Sequence, residues 1–117
     1  MKHILVVDDE KNICELYKRE LEDEGYAVTV ASSGQEGLAA VESNPPDLIV
    51  LDIQMPGMDG IEILEKLLGR DKGIPVVLNT AYSHYKDDYH TWGADAYVVK
   101  SSDTTKLKAE IRRLLGE

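Results

Sequence analysis

Near the middle of the chain, four apolar residues run directly into a single carboxylate, and a turn follows at once. The run is Leu48–Leu51, the carboxylate is Asp52, and the turn contains Pro56, Gly57 and Gly60. A run this short, closed by turn residues, is typical of a strand buried on both faces. Strands of that kind belong to parallel sheets covered by helices. The pattern therefore predicts a central strand with Asp52 at its carboxyl end, where ligands bind in open α/β sheets.

Four more short apolar runs alternate with helical patterns along the chain. Together with the central run, they predict strands over residues 4–7, 27–31, 48–51, 75–79 and 96–99. Helices are predicted over residues 10–24, 33–42, 60–68, 83–92 and 103–115. Strict alternation of this kind predicts a doubly wound parallel sheet with helices on both faces and right-handed crossovers. The length of 117 residues predicts one domain over residues 1–117.

Composition narrows the functional classes. The net charge of -9 argues against a chain that binds nucleic acid directly. Cys14 is the one cysteine, which excludes an internal disulfide and a cysteine-based metal cluster and fits a reducing compartment. No apolar run approaches the length of a membrane helix, and the first residues lead into a strand without a signal-peptide pattern. We therefore expect a cytoplasmic protein that does not bind membranes.

Residues able to carry chemistry end four of the five predicted strands. They are Asp8 with Asp9, Asp52, Thr80 and Lys100. If the strand order is 2-1-3-4-5, the crossovers change direction between strands 1 and 3, and the three carboxylates lie side by side. Carboxylates this close raise one another's pKa, and a hard divalent cation such as Mg²⁺ relieves the repulsion. A metal beside a carboxylate nucleophile, with a lysine and a threonine facing it, suits phosphoryl transfer.

These motifs, taken together and in this order, resemble the response-regulator receiver domain of two-component systems over the whole chain. The resemblance rests on Ile4–Glu10, Asp47–Asp52, Met55–Gly60, Thr80–Ala81, and Gly93–Tyr97 three residues before Lys100. It implies a flavodoxin-like fold, with a five-stranded parallel sheet in the order 2-1-3-4-5 and five helices.

The resemblance also implies roles for the acidic residues. Asp52 would accept a phosphoryl group from the phosphohistidine of a histidine kinase or phosphotransfer protein. Asp9 and Asp52 would hold Mg²⁺ together with the backbone carbonyl of Gln54, and Asp8 would act mostly through a bound water. Lys100 would pair with the carboxylate and then with the phosphoryl oxygens. A receiver assists its own phosphorylation and dephosphorylation but has no turnover substrate, so we do not expect an enzyme.

The family further implies a conformational response. The Thr80 hydroxyl would move to bond the phosphoryl group, and Tyr97 would turn inward behind it. This would reshape the face formed by the fourth helix, the fifth strand and the last helix, which would bind a downstream protein or a second copy in a weak dimer. Gln54 and Tyr82 would flank the path of attacking water, and a bulky Tyr82 predicts slow self-dephosphorylation.

Several alternatives stay open at this point. Asp8 and Asp9 could cap the first helix, Thr80 and Lys100 could be ordinary strand-end residues, and Tyr97 could be core. A metal-dependent phosphatase with an aspartyl nucleophile is a second functional class, and an unphosphorylated binding module is a third. The chain could be a single-domain regulator or a receiver from a longer protein.

One departure from the family concerns the residue after the lysine. Receivers usually have proline there, often after a cis bond, whereas this chain has Lys100-Ser101. A cis bond before a residue other than proline costs about 3–4 kcal/mol. The sequence therefore predicts a trans bond at this position.

Overall fold

The structure is a computed structural model that describes residues 1–52, 62, 65, 66, 73–81 and 93–117. Within these residues the elements, in chain order, are β1 (His3–Val7), α1 (Lys11–Asp23), β2 (Ala27–Ala31), α2 (Gly34–Ser43), β3 (Leu48–Leu51), β4 (Val76–Thr80), β5 (Ala96–Val99) and α3 (Thr105–Leu115). Glu62, Glu65 and Lys66 are also helical. The predicted turn over 55–60 and the helix predicted over 83–92 lie outside the described residues, as does most of the helix predicted over 60–68.

All five strands form one parallel sheet in the order β2-β1-β3-β4-β5, as predicted. Val7 of β1 is in register with both Ala31 of β2 and Leu51 of β3. The strand order changes direction between β1 and β3, so the residues that follow these two strands are neighbours at the carboxyl edge of the sheet. Asp52 continues this pairing, since its backbone N–H donates to the carbonyl of Val7 at 3.0 Å.

Each face of the sheet has its own hydrophobic core, because side chains alternate across a strand. On one face, Leu5, Val7, Ile49, Leu51, Val76 and Leu78 pack with Leu38 and Val41 of α2. On the other face, Ile4, Val6, Leu48, Val50 and Val77 pack with Tyr17 and Leu21 of α1 and with Leu107 and Ile111 of α3. Cover on both faces explains why the strands are apolar at consecutive positions.

Local sequence signals set the ends of the helices. The side chain of Ser33 accepts a hydrogen bond from the Glu36 N–H and caps α2, as its spacing predicted. Gly25 follows α1 with φ +94°, and Gly116 ends α3 with φ +75°. Glycine adopts these left-handed conformations without the steric cost of a Cβ, which makes it a favoured helix terminator.

Gly37 allows α2 to approach the sheet closely. A Cβ at this position would lie 2.9 Å from Cγ2 of Val7, a fully buried residue of β1. Overpacking of this kind costs about 1–3 kcal/mol, whereas alanine gains about 1 kcal/mol over glycine in helix propensity. We expect Gly37→Ala to lower the free energy of unfolding by about 1 kcal/mol in a urea titration.

The reverse substitution in the same helix is the matched control. Ala39 is exposed, so Ala39→Gly is expected to lower the free energy of unfolding through propensity alone, by about 1 kcal/mol. Stabilisation by Gly37→Ala would contradict the steric account.

The described part of the chain contains no cis peptide bond, so the bond between Lys100 and Ser101 is trans, as predicted. Nor does this part of the chain contain a helix with the length and apolar character that crossing a membrane requires.

Candidate functional site

Three strands deliver charged side chains to one edge of the sheet. Asp8 follows β1, Asp52 follows β3 and Lys100 follows β5. The carboxylates are nearly inaccessible, with Asp8 2% and Asp52 3% exposed. Burial of two carboxylic acids is costly unless opposite charge or hydrogen bonds compensate. The surroundings of both residues therefore show how this cost is offset.

Lys100 supplies the compensating charge. Its Nζ lies 2.9 Å from Oδ2 of Asp8, 3.0 Å from Oδ2 of Asp52 and 2.8 Å from Oε1 of Glu10. The lysine side chain is 9% exposed, so its charge is held largely out of solvent. We call Asp8, Glu10, Asp52 and Lys100 the acidic cluster. One ammonium group, on the residue that follows β5, thus bridges carboxylates that follow β1 and β3.

The pKa values in the acidic cluster reflect these contacts. Burial raises the pKa of Asp8 above its usual value, although a hydrogen bond from the Glu10 N–H and the charge of Lys100 oppose the shift. Burial alone would lower the pKa of Lys100, but its hydrogen bonds to Glu10, Asp8 and Asp52 outweigh burial and raise it. Lys100 is therefore a fixed positive charge at neutral pH.

The carboxylates of the acidic cluster are placed to bind a metal ion. Asp8, Glu10 and Asp52 each offer one oxygen, and these oxygens lie within 4.8 Å of one another. Hard divalent cations such as Mg²⁺ prefer oxygen ligands of this type. Three carboxylates face a single ammonium group, so their full ionisation leaves negative charge that a metal cation can balance.

Glu10 is a member that sequence reasoning missed. Asp9, which the resemblance placed on the metal, is exposed and is not one of the three clustered carboxylates. Glu10 is the last of three consecutive acidic residues, and this run was the available signal. Its position as the N-cap of α1, without a capping hydrogen bond from its side chain, leaves the carboxylate available to Lys100.

Thr80 and Tyr97 lie on the last two strands of the sheet, β4 and β5. Thr80 ends β4 and is fully buried, and its carbonyl accepts a hydrogen bond from the Lys100 N–H at 2.7 Å. Tyr97 of β5 is partly buried and packs against the core on the α2 face. Thr80 is therefore hydrogen-bonded to Lys100 through the main chain, and Tyr97 lies three residues before Lys100 in the sequence. Gln54, predicted to bind metal through its backbone carbonyl, lies outside the described residues, as does Tyr82; both were predicted to tune dephosphorylation.

Comparison with known proteins decides the family. The family model described as the response regulator receiver domain matches residues 4–112. The chain belongs to this family. The resemblance drawn from the sequence motifs is thus confirmed, together with the five-stranded sheet that the family implies.

Curated relatives of this receiver domain are response regulators and transcriptional regulatory proteins. The uncharacterized transcriptional regulatory protein YkoG of Bacillus subtilis is 40% identical, over 98% of this chain and 51% of that protein. The alkaline phosphatase synthesis transcriptional regulatory protein PhoP of the same organism is 39% identical, over 97% of this chain and 48% of that protein. This receiver domain spans about half the length of these relatives.

Solved structures of receivers match over nearly the whole chain. The response regulator TrrA of Thermotoga maritima, in complex with Mg²⁺-BeF, is 47% identical with a TM-score of 0.91, over 97% of this chain and 99% of that chain. TrrA has also been solved in complex with the histidine kinase ThkA, and that structure is 48% identical with a TM-score of 0.90, over 98% of this chain and 99% of that chain.

Proposed function

We propose that this receiver domain is the phosphoacceptor of a two-component system and that Asp52 is the residue phosphorylated. The observation that carries the proposal is the contact of Lys100 with both Asp52 and Asp8 at the carboxyl edge of the sheet. A buried carboxylate next to a fixed positive charge and further metal-binding oxygens has the parts that phosphoryl transfer needs. The donor would be a phosphohistidine on a histidine kinase or a phosphotransfer protein, and the complex of TrrA with ThkA supports a kinase.

In the proposed step, an oxygen of Asp52 attacks the phosphorus of the phosphohistidine. A P–O bond forms, the P–N bond breaks, and its electron pair stays on the histidine nitrogen, which takes up a proton. Charge on the oxygens of the transferring phosphoryl group must be neutralised throughout the step, and the ammonium group of Lys100 is positioned to neutralise it. Because its ammonium group is already desolvated and positioned, little reorganisation is needed during the reaction.

Mg²⁺ is the proposed cofactor, and the acidic cluster fits it. On the family resemblance, Asp9, Asp52 and the backbone carbonyl of Gln54 would hold the ion, and Asp8 would act mostly through a bound water. Glu10 is an additional candidate, because its oxygen lies with those of Asp8 and Asp52. When bound, the ion would neutralise charge on the phosphoryl oxygens. The Mg²⁺-BeF complex of TrrA supports this choice of metal.

Phosphorylation would act on partners through the surface next to Lys100. We propose that the Thr80 hydroxyl bonds the phosphoryl group and that Tyr97 turns inward, which reshapes the face of β5 and the helices beside it. This face would bind a downstream protein or a second copy of the chain. This chain corresponds to about half of the relatives' length, and its net charge of -9 disfavours direct binding of nucleic acid. The proposed partner is therefore a protein.

Hydrolysis of the phosphorylated domain would be slow, and no turnover substrate is expected. Gln54 and Tyr82 would set the lifetime by controlling the approach of water. Tyr82→Ala is therefore expected to speed hydrolysis, because a small side chain would open the path of the attacking water.

The test is the intact mass of the domain after incubation with acetyl phosphate. We expect one phosphoryl group to be added in the presence of Mg²⁺ and none in the presence of EDTA. Failure to take up phosphate by a folded domain that binds Mg²⁺ would contradict the proposal, and failure to bind Mg²⁺ as well would favour an unphosphorylated binding module. Continuous release of phosphate from a phosphoester substrate would favour a phosphatase instead.

A further inference from the structure

A buried polar network joins three elements next to the acidic cluster. The Tyr17 hydroxyl of α1 donates to Oδ1 of Asn79 in β4 at 2.6 Å. Nδ2 of Asn79 donates to the main-chain carbonyl of Val98 in β5 at 3.0 Å. Tyr17 and Asn79 are each 1% exposed. We call these contacts the Tyr17–Asn79–Val98 network, and they tie α1 to both strands on the Lys100 side of Asp52.

The network is a polar feature within an otherwise apolar core. The residues around it, such as Val77 and Leu107, are apolar. Asparagine is disfavoured in strands, and burial of an amide and a phenol is costly unless each is hydrogen-bonded. Burial raises the pKa of Tyr17 to about 12 against the opposing effect of Asn79, so the hydroxyl stays protonated and donates at neutral pH. A satisfied network of this kind rigidifies a core and fixes the relative position of its elements.

The network links the two parts of the chain that must meet at the acidic cluster. One end lies in α1, which begins directly after Glu10. The other end is Val98, two residues before Lys100. Asn79, in the middle, directly precedes Thr80, whose carbonyl accepts the Lys100 N–H. In the described sheet β5 is an edge strand that pairs with β4 and packs against α3, so the placement of Lys100 depends on β4, on α3 and on the hydrogen bonds that connect these strands to α1.

We infer that Tyr17 and Asn79 are positioning residues for phosphoryl transfer to Asp52. By tying β4 and β5 to α1, they keep Nζ of Lys100 within ion-pair distance of Asp52 and Asp8. Both residues would act through Lys100 rather than on the reacting atoms. The inference rests on the proposed function of Asp52. Loss of the network is expected to slow phosphoryl uptake about tenfold, because a displacement of about 1 Å at a reacting group can cost up to about 100-fold.

Mg²⁺ binding is expected to respond to loss of the network differently from the rate of phosphoryl uptake. Asp8 and Asp52 follow β1 and β3, which pair directly with each other. Loss of the Tyr17–Asn79–Val98 network displaces β5 and therefore Lys100, but leaves this pairing in place. We expect the Mg²⁺ dissociation constant not to rise while the rate falls, a combination that loss of the global fold would not produce.

The test uses the double variant Tyr17→Phe/Asn79→Leu. It removes both side-chain partners together, so no buried polar side chain is left unpaired and the fold is expected to persist. Tyr17→Phe alone is the second variant, since it keeps the ring and the bond from Asn79 to Val98. Tyr26→Phe is the matched control, because the buried Tyr26 also donates, to Glu117 at 2.7 Å, but directly precedes β2 at the opposite edge of the sheet.

Four quantities are measured for each protein: the rate of phosphoryl uptake from acetyl phosphate at saturating Mg²⁺, the Mg²⁺ dissociation constant, Tm, and hydrogen exchange of the Lys100 amide. The double variant should show the rate loss and faster exchange at Lys100, and Tyr17→Phe a smaller change in the same direction. The control should match the wild type. An unchanged rate overturns the inference, as does a rate loss that is accompanied by an equal loss in the control or in Mg²⁺ affinity.

Phosphoryl uptake by the wild type tests the proposed function, and hydrogen exchange at Lys100 tests the positioning role separately. If the wild type takes up no phosphoryl group, the proposed function fails for all variants alike. Hydrogen exchange still reports on the network in that case. Faster exchange at Lys100 in the double variant would support its positioning by Tyr17 and Asn79, and unchanged exchange would overturn it.

Discussion

Asp52→Asn is expected to abolish phosphoryl uptake from acetyl phosphate under conditions in which the wild type takes up one group. Asparagine has nearly the same size, and its Oδ1 can accept a hydrogen bond from Lys100, so the fold is expected to persist. The amide oxygen is neutral and is a far weaker nucleophile than a carboxylate. Asp52 also follows β3 at the point where the strand order changes direction, 3.0 Å from the ammonium group of Lys100. Intact mass measures the uptake directly.

The matched control lies at the other end of the same strand. Asp47 precedes β3, is exposed, and accepts a hydrogen bond from the His3 N–H at 2.7 Å. Asp47→Asn makes the same chemical change far from the acidic cluster and is expected to leave uptake at the wild-type level. Phosphorylation of Asp52→Asn at the wild-type rate would assign the acceptor to another residue.

Lys100→Met is expected to slow phosphoryl uptake by about 100- to 1,000-fold without loss of Mg²⁺ binding. Removal of one preorganised group that stabilises developing charge typically costs this much in rate. Methionine keeps most of the side-chain volume but not the charge that contacts Asp8, Glu10 and Asp52. Mg²⁺ should bind at least as tightly as in the wild type, because the metal no longer shares these carboxylates with an ammonium group.

Lys108→Met is the control for charge removal. Lys108 of α3 lies 3.3 Å from Glu20 and 3.7 Å from Glu24, away from the acidic cluster. Its replacement should leave both the rate of uptake and Mg²⁺ binding near the wild-type values. A slower rate without loss of Mg²⁺ affinity in Lys100→Met separates a direct role of the lysine from a loss of structure. A rate within about twofold of wild type would show that Lys100 does not stabilise the transferring oxygens.

Much of the fold was accessible from local patterns. The apolar runs at Ile4–Val7 and Leu48–Leu51 are strands buried on both faces, and their continuous hydrophobicity predicted this. The cap at Ser33 and the left-handed Gly25 also follow from residue type. These signals are reliable because they arise between neighbours in the chain. The strand order, by contrast, came from the family resemblance and not from the patterns themselves.

Local sequence patterns predicted two of the three carboxylates in the acidic cluster, but not the third. Asp8 and Asp52 could be placed, because each directly follows a central strand. Asp9 and Glu10 are adjacent acidic residues, and composition does not reveal which of them faces Lys100. That choice depends on the path of the chain between β1 and α1, where Glu10 occupies the N-cap position and its carboxylate contacts the lysine while Asp9 is exposed.

The sequence by itself determined the alternation of strands and helices, the position of Asp52 at a strand end, and the motifs that define the family. Each of these depends on periodicity, turn residues or short spacing. Only the tertiary structure decided that Lys100 bridges three carboxylates and that Tyr17 contacts Asn79 across 62 positions of the sequence. The physical reason is that such contacts join residues far apart in the chain, and their positions relative to one another are a property of the assembled core.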